Sequence, residues 1–258
     1  NGIPSNNANN LYSQMTGTYS AMRDFDQVNN VMNSIGGMNG GLDYEKLSNA
    51  RLLSSNEYTL NSALGYISLK TALRADEVLA VAYEFTYGGQ TFQVGEFSND
   101  VNESKATLFV KLLKPNACSP KNGCWDLMMK NIYSLGATSI NAEKFELYIT
   151  YRNDSVGTEM QYLNEGPING KQLLRVMNLD RLDMKNNASP DGRFDFVEGL
   201  TIYASNGKII FPVLEPFGSH LAAQLGNDTR LVNKYCFPEL YDSTLIVAQE
   251  LSEKNKFH

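Results

Sequence analysis

The sequence contains few of the residues on which most catalytic and zinc sites depend. Histidine occurs only twice in 258 residues, as His220 and His258. A serine triad needs a histidine as the base that shuttles the proton, and neither histidine stands in a recognisable triad pattern. Neither has the spacing to a cysteine that a zinc site requires. We therefore expect a protein that is not an enzyme and that holds no zinc.

Two further absences limit the partners of the chain. Its formal net charge is -6 and no basic patch is present, which argues against a nucleic-acid partner. Its apolar runs are far shorter than the roughly 20 residues that a membrane helix needs, so we expect no membrane-spanning segment. A mean hydropathy of -0.32 and a hydrophobic content of 42% are typical of a folded chain with a substantial core.

Cysteine is also scarce, with three in the chain. Cys118 and Cys124 bracket a short loop in which Pro120 and Gly123 let the chain turn back on itself. A Cys118–Cys124 disulfide is therefore a candidate, and it would imply an oxidising compartment. Cys236 has no obvious partner and is predicted to be a small buried apolar residue.

The most informative segment is an oxygen-rich loop that runs into two strand-like stretches. Carboxylates at this density repel one another unless a cation, backbone donors or solvent compensate them. A calcium-loop pattern with Gly192 at its sharp turn places the oxygen ligands at these residues: Asn187, Ser189, Asp191, Asp195 and Glu198. The chain departs from that pattern in its first ligand, which is an asparagine, and in Pro190 inside the loop. No cofactor is firmly predicted, and a calcium ion is the one candidate.

An alternative reading of the same loop needs no metal. Asp191-Gly192 has the composition of a turn, and Asp180 and Asp183 are residue types that bond backbone amides in irregular loops. In this reading the carboxylates are compensated by N–H groups of the loop itself. Both readings predict an ordered loop, but only the first predicts a dependence on calcium.

Two other candidate sites come from carboxylates and aromatic residues. Glu96 with Glu198, or Glu84 with Asp195, would form a glycosidase pair if a cleft held the two carboxyl groups about 5–9 Å apart. Trp125 is the single tryptophan, and it would belong either to a sugar-stacking surface or to the core. Its neighbours Leu127 and Met128 favour the core.

The chain divides by composition into an irregular N-terminal arm, residues 1–43, and a body, residues 44–258. The arm is rich in Asn, Gly, Ser and Met, and cannot bury enough apolar surface to fold alone. The body is predicted to be mainly β, an antiparallel β-sandwich of jelly-roll type with a C-terminal helix. Because the chain begins at Asn1-Gly2 without an initiating methionine, we expect it to be a piece of a longer, processed protein.

Period-two patterns and turn residues place the predicted elements. Gly88-Gly89 between two β-rich segments, 78–87 and 90–97, predicts a hairpin, since a tight primed turn needs positive φ. Further strands are predicted at 107–113, 145–151, 200–203 and 208–213, while 128–135 fits either a strand or a loop. Helices are predicted at 44–54 and 241–254, the second with Leu245, Ala248 and Leu251 facing inward.

Several long phrases of the sequence, spread over about residues 42–257, resemble one protein family. The phrases include LGYISL (64–69), DEVLAVAYEFT (76–86), WDLMMKNIYSL (125–135), PDGRFDFVEG (190–199) and GKIIFPVLEPFG (207–218). In this order they resemble the Sov/SprA family, the very large outer-membrane translocon of the type IX secretion system in Bacteroidota. Members of that family are also described as gliding-motility or cell-surface proteins.

The resemblance implies that the parent protein is a giant transmembrane β-barrel through which folded cargo leaves the periplasm. The chain is too short and too polar to be that barrel, so it would be a soluble inserted domain at one mouth of it. Its partners would be the barrel of the parent protein, accessory secretion subunits or cargo proteins. Long insertions in bacterial barrels usually emerge on the outer face, so an extracellular position is favoured over a periplasmic one. No catalytic residues are implied.

Two classes of function stay open at this point. The first is a non-catalytic cap, plug or docking platform of an export channel. The second is a carbohydrate-binding or calcium-stabilised module of the cell surface. An exposed aromatic groove would favour the second class, whereas a large exposed apolar or strand-edge surface without a cleft would favour the first.

Overall fold

The structure is a computed structural model that describes residues 11–101, 106–153, 157–254 and 256–258. The chain forms two compact units, Asn1–Met128 and Met129–His258. Residues 1–10 of the predicted arm lie outside the described residues, and the predicted boundary at residue 43 stays a prediction. Among the described residues, no helix combines the length and apolarity needed to cross a bilayer.

The first unit contains short helices and short antiparallel strands. Its described α-helices are α1 (Leu11–Thr16) and α2 (Val28–Ser34). Its described strands are β1 (Tyr58–Asn61), β2 (Tyr66–Leu69), β3 (Leu79–Val81), β4 (Tyr83–Tyr87), β5 (Gln90–Val94) and β6 (Lys111–Lys114). They pair antiparallel as β1–β2, β3–β6 and β4–β5.

The predicted Gly-Gly hairpin is confirmed. Gly88 and Gly89 join β4 to β5 with φ angles of 58° and 78°, the left-handed values that a primed two-residue turn requires. The predicted first strand is nevertheless divided, because β3 pairs with β6 while β4 pairs with β5. One continuous run of residues therefore contributes to two different ribbons.

A small core in the first unit holds the N-terminal helices in place. Val28 and Met32 lie four residues apart on one face of α2 and are buried with Met22 and Phe109, as expected for an amphipathic helix. Next to this core the Glu96 side chain is 3% exposed and pairs with the guanidinium of Arg23. The Arg23 guanidinium carbon lies 4.2 Å from the centre of the Phe109 ring.

The Glu96 carboxylate receives hydrogen bonds from three partners. The Arg23 Nη1 donates at 2.8 Å, the Tyr12 hydroxyl at 2.9 Å and the Phe109 backbone N–H at 2.9 Å. Burial by itself raises the pKa of Glu96, but these donors outweigh it and hold the pKa below its usual range. The charged form is therefore the one that the fold stabilises.

The second unit combines helices with a three-stranded sheet. Its described α-helices are α3 (Leu173–Val176), α4 (Leu221–Gln224), α5 (Thr229–Tyr235), α6 (Glu239–Asp242) and α7 (Leu245–Glu250). Its described strands are β7 (Ile132–Ser134), β8 (Tyr151–Arg152), β9 (Glu159–Met160), β10 (Ile202–Tyr203) and β11 (Lys208–Ile210). The sheet order is β10–β11–β7, all antiparallel, and β8 pairs with β9.

The core of the second unit lies between helices and sheet. Leu173 of α3, Ile202 of β10 and Leu221 of α4 are each 0% exposed and belong to one cluster. Phe211 and Phe217 pack edge to face at a centroid distance of 5.5 Å, a favourable aromatic geometry. This mixed core buries most of the large apolar side chains of the unit.

The expectation of a mainly-β sandwich is not confirmed. Antiparallel strands and C-terminal helices are present, but 19% of the described residues lie in strands and 26% in helices. The described strands are two to five residues long, and pairs of such ribbons are too short to form the two facing layers of a sandwich. The Gly88-Gly89 turn lies where the sequence predicts it, but the segments between the predicted turns do not all become strands.

Individual elements differ from the predictions in informative ways. Residues 44–54 form no helix, and the predicted strand at 145–151 is present only at Tyr151. The predicted helix at 241–254 is interrupted because Ser243 and Thr244 are extended, with ψ angles of 163° and 157°. After this break Ala248 is buried, as predicted, whereas Leu245 is 72% exposed instead of facing inward.

We expect Glu96→Gln to lower the free energy of unfolding of the chain by about 2 kcal/mol at neutral pH, since it removes a buried, hydrogen-bonded charge. Because the folded-state pKa of Glu96 is depressed, its contribution is present above the unfolded pKa and is lost as pH falls through the folded value. Urea unfolding of both proteins between pH 7 and pH 3 should show the difference shrinking at the acid end.

The matched control is Glu57→Gln, which removes an exposed carboxylate that pairs with Arg51. Exposed ion pairs contribute little, so this variant should unfold nearly like the parent. A loss from Glu57→Gln equal to that from Glu96→Gln would contradict the special role assigned to the buried pair.

Candidate functional site

The acidic loop of the second unit is organised around the buried carboxylate of Asp180. This residue is 1% exposed. Its Oδ2 accepts a hydrogen bond from Arg175 Nε at 3.0 Å and lies 3.0 Å from the second guanidinium nitrogen. Its Oδ1 accepts from the backbone N–H groups of Asp191 at 2.9 Å and Gly192 at 3.2 Å. One side chain therefore ties α3 to the far side of the loop.

The local sequence explains why Asp180 points back at α3. Asn178 adopts a left-handed conformation, with a φ of 60°, and the Leu179 N–H bonds the Leu174 carbonyl at 3.0 Å. This six-to-one bond across a left-handed residue is the Schellman ending of a helix. It directs Leu179, which is 0% exposed, into the core and turns Asp180 toward Arg175.

Asp195 closes the loop from the other direction. Its two carboxylate oxygens accept from the N–H groups of Arg181 at 2.7 Å and Leu182 at 3.1 Å. Burial raises the pKa of Asp195, the two N–H donors lower it, and the nearby Asp180 and Asp191 raise it, with a net shift upward. Burial is the largest cause of this upward shift of the Asp195 pKa, and the two neighbouring acids add to it.

Asp183 forms a smaller turn on the exposed edge. Its Oδ1 accepts from the N–H groups of Lys185 at 2.8 Å and Asn187 at 2.9 Å, and its Oδ2 from the Asn187 side chain at 2.9 Å. Hydrogen bonds from the Asn187 side chain and backbone are the main reason that the pKa of Asp183 lies below its usual value. The predicted bonding of Asp180 and Asp183 to backbone amides is confirmed.

The five predicted calcium ligands are only partly brought together. Asp191 lies close enough to Asp195 to contribute to the upward shift of the Asp195 pKa. Asn187 faces Asp183, and Glu198 accepts from the Ala204 N–H at 3.0 Å. Ser189 donates its backbone N–H to the Asn187 carbonyl at 2.7 Å. Calcium binding stays a prediction.

Backbone donors already occupy part of the ligand set. Asp191 accepts from the Arg193 N–H at 3.0 Å, and both oxygens of Asp195 are hydrogen-bonded. Across residues 11–101, 106–153, 157–254 and 256–258 there is no group of three or more His, Cys, Asp or Glu side chains arranged for a metal ion. What the geometry shows directly is a loop held by its own amides.

The remaining candidate residues take structural positions. Cys118 and Cys124 are free thiols and partly exposed. The pKa of Cys124 is raised, mainly by burial; the charge of Lys111 lowers it and that of Cys118 adds a smaller increase. Their pairing stays a prediction. Cys236 is buried and burial raises its pKa to about 11, so its predicted role as a small core residue is confirmed.

The other chemical candidates also make structural contacts. A ring nitrogen of His220, Nε2, lies 2.7 Å from the Val176 carbonyl oxygen. Trp125 is 9% exposed and belongs to the core, as predicted. Of the acids considered as a glycosidase pair, Glu96 is the buried partner of Arg23, and Glu84 lies on an exposed strand of the β4–β5 hairpin.

Sequence reasoning missed an exposed apolar surface on α7. Leu245, Ile246 and Val247 are 72%, 68% and 40% exposed, and we call these three residues the α7 strip. Consecutive apolar residues in a helix cannot all face one side, so the run itself was a signal that part of it would reach solvent. The prediction of one continuous helix at 241–254 placed Leu245 in the core and therefore did not reveal this surface.

No protein-family model matches the chain, and no curated protein is similar to it at a significant level.

We expect Asp180→Asn to lower the free energy of unfolding by about 3 kcal/mol. The variant leaves the Arg175 guanidinium without its counter-charge. Its amide NH₂ would also face a group that donates hydrogen bonds, either Arg175 or the backbone N–H groups of the loop. Urea unfolding is the measurement. Asp183→Asn is the matched control, because Asp183 bonds backbone amides in the same loop but is less deeply buried than Asp180. Equal losses for the two variants would contradict the central position of Asp180.

We expect Asp191→Ala to lower the melting temperature by the same amount in calcium and in a chelator, because the Asp191 carboxylate bonds the Arg193 N–H. Thermal unfolding monitored by circular dichroism tests this. A loss confined to the calcium-containing buffer would establish the calcium site instead.

Proposed function

We propose that this chain is a non-catalytic interaction domain of an outer-membrane protein-export channel, the translocon of type IX secretion and gliding motility. In this role it acts as a cap, plug or docking platform at the mouth of the barrel, on the extracellular side. Its partners are the parent barrel, accessory secretion subunits or cargo. The resemblance to the Sov/SprA family over about residues 42–257 is the observation that carries the proposal.

The positions of the resembling phrases support a scaffold role. In the phrase at 207–218, Ile209, Ile210, Phe211 and Phe217 are all buried. The phrase at 190–199 supplies Asp191, Gly192 and Asp195 to the amide-bonded loop. The residues that resemble the family thus build the fold, which is what a domain that acts through its surface requires.

The described surface offers a contact site of the appropriate kind. The α7 strip exposes three consecutive apolar side chains, and clustered exposed apolar residues are more typical of interaction surfaces than of solvent-facing helices. Gln249 and Glu250 on the same helix are exposed and polar. A strip bounded by polar residues suits a reversible contact with another protein surface.

The test is made in the full-length parent gene. Deletion of the segment corresponding to residues 1–258 should leave the barrel assembled in the outer membrane and make export blocked or leaky. The point variant Ile246→Asp should reduce export with little change in folding, because the side chain is already exposed. Secretion of a reporter cargo into the medium is the measurement.

The control is Gln249→Asp, which introduces the same charge at a polar position of the same helix. It should leave secretion unchanged. Normal secretion after deletion of the whole segment would overturn the proposal. Equal effects of Ile246→Asp and Gln249→Asp would remove the α7 strip from it.

A further inference from the structure

A polar cleft in the first unit carries an inference independent of the export proposal. The cleft has a volume of about 420 Å³ and lies between α2 and the following loop, residues 40–46. The cleft is shallow and largely open to solvent. Unlike most small-molecule sites it is lined mainly by polar groups, which restricts the chemistry of its occupant.

One wall of the cleft is the solvent-facing side of α2. Asn29 and Asn33 lie four residues apart, so their side chains project from the same face of the helix. Both residues are exposed, and within the described part of the chain their side-chain amides make no hydrogen bond to the protein. Val28 and Met32, each one residue earlier and about 100° around the helix, fix α2 in the core. Two free amides are therefore presented from a packed support.

The other wall is a loop whose backbone is held in place. The Gly41 N–H bonds the Tyr44 carbonyl at 2.8 Å, and the Gly41 carbonyl accepts from the buried Asn122 side chain at 3.0 Å. Glu45 accepts from the Asn116 N–H at 2.9 Å. Lys46 lies 4.1 Å from the centre of the Phe25 ring. These contacts order the loop before any ligand binds, which lowers the entropic cost of binding.

Glycine at position 40 keeps the end of the Tyr44 ring accessible. A Cβ added at Gly40 would lie 3.5 Å from both Cζ and the hydroxyl oxygen of Tyr44. In the described structure this hydroxyl makes no hydrogen bond to the protein. A larger side chain at position 40 would occupy the space beside the ring, so the glycine leaves both the aromatic edge and the hydroxyl open to the cleft.

The lining selects a neutral ligand rich in hydroxyl groups. An asparagine amide both donates and accepts hydrogen bonds, which suits neighbouring hydroxyls that do the same. Glu45 and Lys46 are adjacent and opposite in charge, so the cleft favours neither an anion nor a cation. The Tyr44 ring adds an apolar edge beside a polar hydroxyl. We propose that this cleft binds a saccharide of one or two sugar units.

The test is titration of the 258-residue chain with glucose, galactose, mannose, N-acetylglucosamine and their common disaccharides, monitored by isothermal calorimetry and protein NMR. At least one sugar should bind with a dissociation constant in the millimolar range, as is usual for a small open polar site. Asn33→Ala should weaken that binding about tenfold, the equivalent of roughly one hydrogen bond. Gly40→Leu should abolish it by filling the cleft.

Two controls separate binding from folding. Asn30→Ala makes the same change on α2, at an exposed residue whose amide bonds Gln27 outside the cleft, and should leave affinity unchanged. Gly36→Leu adds the same side chain where a Cβ meets nothing within 4 Å. Absence of binding by every sugar would overturn the proposal. So would binding that Asn33→Ala and Gly40→Leu leave unchanged.

Discussion

The buried carboxylate of Asp180 is the constraint on which the second unit depends. A carboxylate at 1% exposure is tolerated only when its charge and its lone pairs are compensated. Arg175 supplies the charge, and the N–H groups of Asp191 and Gly192 supply hydrogen bonds. Satisfying this one group fixes the end of α3, the path of the acidic loop and the approach to the β10–β11 hairpin. The core residues on either side are then brought into register.

The first unit contains the same kind of interaction, a buried carboxylate paired with a guanidinium group. Glu96 is buried against Arg23 and a backbone N–H, and it connects the N-terminal helices to the strand region as Asp180 connects α3 to its loop. In both units a conspicuous buried acid bonds backbone and guanidinium donors. The two proposed functions are assigned instead to the α7 strip and to the polar cleft beside α2. The two sites lie in different units and can be tested separately.

The sequence predicts local features better than their assembly. The Gly88-Gly89 hairpin, the burial of Trp125 and Cys236 and the amide bonding of Asp180 and Asp183 follow from short-range chemistry, namely positive φ, side-chain size and Asx geometry. The sandwich is not confirmed, because frequent turns do not reveal whether the intervening residues pair as strands or pack as helices. Leu245 was predicted to face inward but is exposed, because two extended residues, Ser243 and Thr244, interrupt the helix just before it. No sequence pattern predicts that Arg175 pairs with Asp180, because this contact depends on the left-handed conformation of Asn178.

The central claim is that hydrogen bonds from backbone amides hold the carboxylates of the acidic loop in place. Amide hydrogen exchange measured by NMR in the presence of a chelator tests it most directly. The N–H groups of Arg181, Leu182, Asp191 and Gly192 should then be protected to a degree similar to amides of the surrounding core, because each donates to a carboxylate. Rapid exchange of these four amides that becomes slow only after calcium is added would contradict the account.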